Sequence, residues 1–384
     1  MNESMSPRRV LIAPDKFKGS LSAAEVSAAL GAGITEHRPD ITWRALPLAD
    51  GGDGSVSAAV AAGFRGIAAE VAGPTGEPTT TRLAFDGTTA IVEVATTCGL
   101  QLLPADGLAP LASSSAGFGE AMRAALHFGP RRLVLALGGS ATTDGAAGML
   151  SAVGAIFLDR NGKPFVPSGG TLTEIARADL SGLASFEGVE LVAASDVENP
   201  LLGPAGAAAV YGPQKGATPD DVAALDAGLT HLVLMLDNAG LAATSVAAAP
   251  GAGSAGGLGF GAMLLGATLV SGADFFLDLV GFDEAAAGAD LIVTGEGKMD
   301  EQTLAGKLPL ALARRARGVP VVAVVGHNDL GCDSLPEHGI ETIWGLSALS
   351  ERDTSRDPGL SARLITAIGA QIAGRLGSSP APRT

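Results

Sequence analysis

The stretch ADLIVTGEGKMDEQTLAGKLP occupies residues 289–309. Its first six residues form a short apolar run with the branched side chains of a buried strand. The run then breaks into glycines, acids and lysines: Glu296, Asp300 and Glu301 beside Lys298 and Lys307. A strand that ends this way either turns sharply or holds something charged. Four other apolar runs end alike. Residues 9–13 lead into Asp15-Lys16-Phe17-Lys18, and residues 42–48 into Asp50-Gly51-Gly52-Asp53. Residues 133–137 lead into GGSATTDG at 138–145, and residues 191–194 into Ser195-Asp196. In open α/β sheets, ligands sit outside the carboxyl ends of strands. One acid beside a glycine is an ordinary turn. Five such endings, two of them with lysines, point to a shared polar site.

The rest of the chain agrees with an α/β class. Runs rich in Val, Ile and Leu alternate with Ala-rich helical patterns, the signature of largely parallel sheets. Further strands are expected at residues 89–94 and 321–325. Ser22-Ala23-Ala24-Glu25 is a capping box, opening a helix expected to end at Gly31 or Gly33. Asn161-Gly162 reads as a hairpin turn. VAGPTGEPTTT, residues 71–81, reads as a linker or a tight turn.

With 384 residues the chain has room for two domains, and 47% hydrophobic against 17% charged residues makes it globular. A net charge of −15 argues against nucleic acid and anionic membranes as partners. Cys98 and Cys332 cannot build a disulfide framework and suggest a reducing compartment. No signal peptide is expected, since no long apolar stretch precedes the first strand, and no run is long enough to span a bilayer. The expected location is the cytoplasm.

Each strand end admits a chemistry and an ordinary alternative. The 138–145 loop and the helix expected after it could present N–H groups to a phosphate, while a helix cap at Thr142 or Thr143 explains the same residues. Lys16 and Lys18 lie two apart, on one side of an extended loop. Solvated lysines would look the same. Asp50 and Asp53 suit Mg²⁺, which takes one or two carboxylates, phosphate oxygens and water. An Asp-Gly turn also fits them. Asp196 is a candidate general base or metal ligand, or a cap. Glu93, inside an apolar run, calls for a partner or a site role. The residues GAGSAG at 251–256 match a dinucleotide-binding pattern in poor context, because no clean strand precedes them. There is no G-x-x-x-x-G-K-[ST] and no G-x-S-x-G, and the five histidines show no metal spacing.

Seven stretches together resemble one family. They are APDKFKGSL (13–21), PLADGGDG (47–54), GGSATTDG (138–145), SDVENPL (195–201), GPQKG (212–216), GSAGGLG (253–259) and GEGKMD (295–300). In this order they look like the bacterial glycerate kinases of the type I (glycerate 2-kinase) family. The resemblance spans about residues 9–375. Lys298-Met299 stands where that family often has Arg-Ile, and Ser254 where Ala is common.

The resemblance implies ATP- and Mg²⁺-dependent phosphorylation of D-glycerate, giving 2-phosphoglycerate. It implies two α/β domains, one Rossmann/flavodoxin-like with a parallel sheet and one mixed, with the active site in the cleft between them. The expected limits are 8–75 plus 284–376 for a discontinuous flavodoxin-like domain and 76–283 for the inserted one, with disordered ends at 1–7 and 377–384. The expected catalytic group is Asp196, Lys16, Lys18 and Asp300. The expected substrate- and ATP-binding group is Asp15, Ser20, Gly138, Gly139, Ser140, Thr142, Thr143, Asp144, Asn199, Gln214, Lys215, Gly256, Gly257 and Lys298. Asp50, Asp53 and Glu296 are the expected metal ligands. Expected partners are ATP and D-glycerate, not nucleic acid or membrane, with a homodimer left open. A kinase of another small hydroxy acid, or a non-catalytic metabolite sensor, are the alternatives.

Overall fold

The computed structural model describes residues 8–104, 107–304 and 307–376. The ends expected to be disordered, 1–7 and 377–384, lie outside the described residues. The chain divides into two compact units, Met1–Asp50 with Ala273–Thr384, and Gly51–Gly272.

The first unit holds a five-stranded sheet in which every pairing is parallel. Across the sheet the strands run Ile340–Gly345, Val321–Asn328, Leu291–Met299, Arg9–Pro14, Thr42–Ala45. Counted along the unit and read from the Thr42–Ala45 edge, this is the order 2-1-3-4-5, that of flavodoxin-like sheets. Period-two alternation sorts the side chains onto two faces. Val10, Ile12, Leu291, Val293, Val322 and Val324 pack with Leu30, Ile34, Ile365 and Ile368. The last four come from the helices Ala23–His37 and Pro358–Leu376. Leu11, Ala13, Ile292, Ala323 and Val325 pack on the other face with Leu277, Phe282, Leu308 and Leu312. Both faces of the three central strands, Arg9–Pro14, Leu291–Met299 and Val321–Asn328, are covered, which is why those strands read as apolar runs.

Two expectations about glycines are corrected here. The helix that opens at the Ser22 capping box does not stop at Gly31 or Gly33; it runs to His37. A Cβ on Gly31 would lie 2.3 Å from the Trp43 ring, and one on Gly33 would lie 1.9 Å from the Thr366 carbonyl oxygen. These glycines serve close packing, not capping. Likewise the strand expected to break at Gly295 continues to Met299. Gly295 pairs with Val324, Glu296 with Val325 and Lys298 with His327. A Cβ on Gly295 would sit 2.3 Å from the Val324 carbonyl oxygen, and one on Gly297 would sit 2.9 Å from the Lys18 nitrogen. The glycines let neighbouring backbone come close, and Glu296 sits in the ladder, not in a turn.

The second unit is built on a six-stranded mixed sheet. Its order is Thr268–Val270, Glu190–Ala194, Arg132–Ala136, Thr89–Glu93, Pro78–Phe85, Arg65–Ala72. The first four strands are parallel to one another, and the last two join antiparallel. VAGPTGEPTTT makes the tight turn of that last hairpin, closed by Gly73 N–H donating to Glu77 O at 2.6 Å. The division expected at residue 75 falls at 50/51 because strand Arg65–Ala72 pairs along its whole length with Pro78–Phe85. That expected near 283 falls at 272/273, since Leu277 and Phe282 belong to the first unit's core. A small antiparallel sheet joins Pro164–Phe165, Ile156–Leu158 and Arg177–Asp179, and Asn161-Gly162 turns between the first two, with Gly162 at φ 76°. Phe118, Met149, Phe157, Leu229 and Phe260 lie in the core of this unit. Among the described residues, no helix is long and apolar enough to cross a membrane.

Candidate active site

The first unit brings acids together where its sheet order reverses, between the strands Arg9–Pro14 and Leu291–Met299. That switch point is where such sheets open a crevice for ligands. Asp15 follows the first strand and is tied to the second, its N–H donating to Gly295 O at 2.8 Å. Its carboxylate accepts the Lys16 N–H at 2.7 Å. Burial pushes the Asp15 carboxyl well above the usual range, and the charges of Asp50 and Glu296 add to the rise. Glu296 is 8% exposed. Burial lifts it from its ordinary 4.5 to about 7 against the hydrogen bond from Thr303; Lys307 also opposes the rise, and Asp50 and Asp300 support it. Asp15, Asp50, Glu296 and Asp300 therefore share one electrostatic neighbourhood. Lys307, which resembles helix punctuation in the sequence, faces it too.

The first unit's other expected residues divide. Phe17, Lys18, Gly19, Ser20 and Leu21 form a tight turn, with Phe17 N–H bonded to Leu21 O at 2.7 Å and Leu21 N–H back to Phe17 O at 3.0 Å. Phe17 is buried and Lys18 exposed. The Ser20 hydroxyl is buried without a hydrogen-bond partner, as is that of Thr294, two residues before Glu296. Lys298 is engaged with its own chain: Nζ lies 2.7 Å from Asp329 Oδ2 and 3.6 Å from Asp300 Oδ2. His327 Nε2 reaches the other Asp329 oxygen at 2.8 Å. Asp329, which contacts both side chains, was not among the expected residues. Only its place just beyond a strand end could have marked it.

In the second unit five of the seven motif stretches meet. Gly138 N–H donates to Gly51 O at 3.0 Å, and a Cβ on Gly138 would lie 2.5 Å from Gly52 Cα. Gly139, at φ 83°, would meet the Asp53 side chain at 3.9 Å. Gly145 N–H donates to Gly256 O at 3.0 Å, and Gly253 N–H to Asn199 O at 2.9 Å. A Cβ on Gly256 would lie 1.9 Å from Thr142 O, and one on Gly257 would lie 2.6 Å from Gly145 Cα. Lys215, from the fifth stretch, donates to Ser140 Oγ at 2.9 Å and Thr142 O at 2.6 Å. The glycines are needed because these loops stack backbone on backbone.

This packing shows which partners several of the expected residues have within the chain. Lys215 is 3% exposed, so it clamps the 138–145 loop from inside. Burial lowers it from 10.5 to about 8, with Cys98 and Asp144 holding it up in part. Asp144 is fully buried and accepts from Ser115 N–H (2.8 Å), Ser115 Oγ (2.7 Å), Ala146 N–H (3.2 Å) and Gly148 N–H (3.2 Å). The helix after the loop, Ala147–Ala152, is short, and Met149 N–H is bonded to Ser115 Oγ at 2.9 Å. Its N-terminus is thus largely satisfied by the protein, leaving the loop itself as the phosphate-binding candidate. The hydroxyls of Thr142 and Thr143 are buried with no partner. Asn199 uses both ends of its amide within the chain, donating to Ala205 O at 2.9 Å and accepting from Tyr211 Oη, at the end of the helix Ala207–Tyr211, at 2.6 Å. Glu93 finds its partners as a helix cap, accepting Gly54 N–H at 3.1 Å and Val56 N–H at 2.9 Å. Asp196 is exposed and accepts Gly272 N–H at 3.0 Å. Gln214 is exposed.

The chain is similar to known proteins over nearly its whole length. A family model described as the glycerate kinase family matches residues 10–374. A protein named glycerate kinase from Bacillus subtilis (strain 168) is 42% identical over 88% of this chain and 90% of its own. One named glycerate 2-kinase from Escherichia coli (strain K12) is 38% identical over the same shares. The crystal structure of a glycerate kinase 2 from Salmonella typhimurium LT2 superposes with a TM-score of 0.77 at 35% identity, covering 97% of this chain and 98% of that one. With seven motif stretches gathered into two strand-end clusters, the chain belongs to the glycerate kinase family.

Proposed function

We propose that this protein transfers the γ-phosphoryl group of ATP to the 2-hydroxyl of D-glycerate. The observation that carries the reading is the group of Asp15, Asp50 and Glu296 carboxylates at the switch point of a parallel sheet, in a chain of this family. Phosphoryl transfer needs positioning and charge neutralisation more than covalent chemistry. Lys16 and Lys18 supply cations for phosphate or for the glycerate carboxylate. The 138–145 loop, with Gly256 and Gly257 stacked beneath it and Lys215 inside it, binds the phosphates of ATP. Asp196 accepts the proton of the attacking hydroxyl, and Asp300 is the second choice.

A divalent cation fits the donor set. Among the described residues no three acids, histidines or cysteines converge to cage a metal by themselves. Mg²⁺ does not ask for that; one or two carboxylates plus phosphate oxygens and water suffice. Asp50 and Glu296 are hard oxygen donors of that kind, with Asp53 the other candidate. Bound with ATP, the ion would neutralise charge on the transferring phosphate. The reading places the enzyme in the cytoplasm with small molecules as its partners.

The test is ATP consumption by the purified protein over a panel of hydroxy acids, in the presence of Mg²⁺. Turnover with D-glycerate well above that with lactate, malate or tartrate is expected. Turnover greatest with another hydroxy acid would reassign the substrate.

A further inference from the structure

We propose that Thr303 is a positioning residue for phosphoryl transfer, holding Glu296 and Asp300 in a fixed relation; the kinetic part of this rests on the function proposed above. Thr303 is completely buried in the helical turn Glu301–Leu304, just after the strand carrying Glu296. Its hydroxyl lies 2.8 Å from Glu296 Oε1 and 3.2 Å from the Asp300 nitrogen. An amide nitrogen can only donate, so the hydroxyl accepts there, and its single proton is left for Glu296. The Thr303 N–H closes the loop by donating to Asp300 O at 2.9 Å. One small side chain thus orients a buried carboxylate and pins the backbone of a second acid four residues away. A buried carboxylate that loses such a donor is poorly satisfied and turns toward another. In the sequence, Thr303 is an ordinary hydroxyl residue opening a helix, and nothing there marks it.

Thr303→Val keeps the shape of the side chain and removes both bonds; Thr303→Ser keeps them. We expect T303V to lower kcat for glycerate-dependent ATP consumption by about tenfold or more while KM for ATP stays within about threefold, because the hydroxyl orients reacting groups without binding nucleotide. T303S should stay close to wild type. Hydrogen exchange followed by NMR supplies a readout free of catalysis. The Asp300 amide should exchange about tenfold faster in T303V and at the wild-type rate in T303S. A folded T303V with kcat within about twofold of wild type, or with unchanged Asp300 exchange, overturns the proposal. If T303V does not fold, T303S decides: retained kcat supports the proposal, and a tenfold loss in folded T303S overturns it. If wild type consumes no ATP with glycerate, the proposed function fails, and Asp300 exchange alone then supports or overturns the positioning role.

Discussion

Glu296 sits in a continuous strand with its carboxyl held at about 7. Its folded value lies above the unfolded 4.5, so the folded chain holds the extra proton between them. Stability contributed by this group is therefore present at low pH and is lost as pH rises from about 4.5 to about 7. The shift corresponds to about 3 kcal/mol at most. Glu296→Gln should remove that penalty, raising Tm above wild type at pH 8 and flattening the pH dependence of stability, while turnover collapses. Thermal melts from pH 5 to 8 check this; a variant less stable than wild type at pH 8 contradicts it. Asp196→Asn keeps an oxygen to accept the Gly272 N–H and removes the base. Turnover should fall by about 10²–10⁴-fold with ATP affinity nearly unchanged. Titration of nucleotide binding alongside kinetics tests that, and near-wild-type turnover removes Asp196 from the role. Asp15, Asp50 and Glu296 stand out in the sequence because five strand ends carry the same kind of acid- and glycine-rich segment, although each acid alone reads as an ordinary turn. Lys215, Asp144 and Asn199 also lie in polar, glycine-rich segments, yet they bond the chain itself: Lys215 holds the 138–145 loop, Asp144 accepts from Ser115, and Asn199 donates to Ala205. Which way a polar side chain turns depends on backbone brought in from far along the chain, and local pattern does not carry that.

At the scale of elements, the glycines were the most legible feature and the most easily misread. Their positions announced loops and helix ends, but Gly31, Gly33 and Gly295 lie inside a helix and a strand. Their meaning comes from long-range neighbours: Trp43, Thr366 and Val324. Gly33→Ala separates the two explanations. Helix propensity alone predicts a gain of about 1 kcal/mol. A Cβ 1.9 Å from the Thr366 carbonyl oxygen would instead force the helices Ala23–His37 and Pro358–Leu376 apart, a strain of about 1–3 kcal/mol. Backbone cannot swing aside as a side chain can, so we expect a net loss, read as a lower midpoint in urea unfolding. A more stable variant would show that the helix pair is loosely packed. The seven motif stretches tell the same story. Their order was plain in the sequence, whereas the stacking of 51–54, 138–145, 195–201 and 253–259 became visible only through the contacts of Gly51, Gly138, Gly253 and Gly256.

The whole molecule carries a net charge of −15, and it keeps Asp144 and Glu296 buried. Self-repulsion of that size weakens the compact state and is screened by salt. Raising NaCl from about 0.02 to about 0.3 M at pH 7.5 should therefore raise Tm by a few degrees, where a balanced surface would show little change. The α/β class and the parallel first sheet were legible from apolar periodicity alone. The discontinuous first unit was not, because nothing in residues 9–50 states that their sheet is completed by residues 291–345. The account as a whole comes down to what leaves the site. Two-dimensional proton–phosphorus NMR of the wild-type protein with Mg²⁺, ATP and D-glycerate tests it most directly. The account predicts a new phosphate resonance coupled to the methine proton at C2. Coupling to the C3 methylene, or no phosphorylated glycerate from a folded sample, would contradict it.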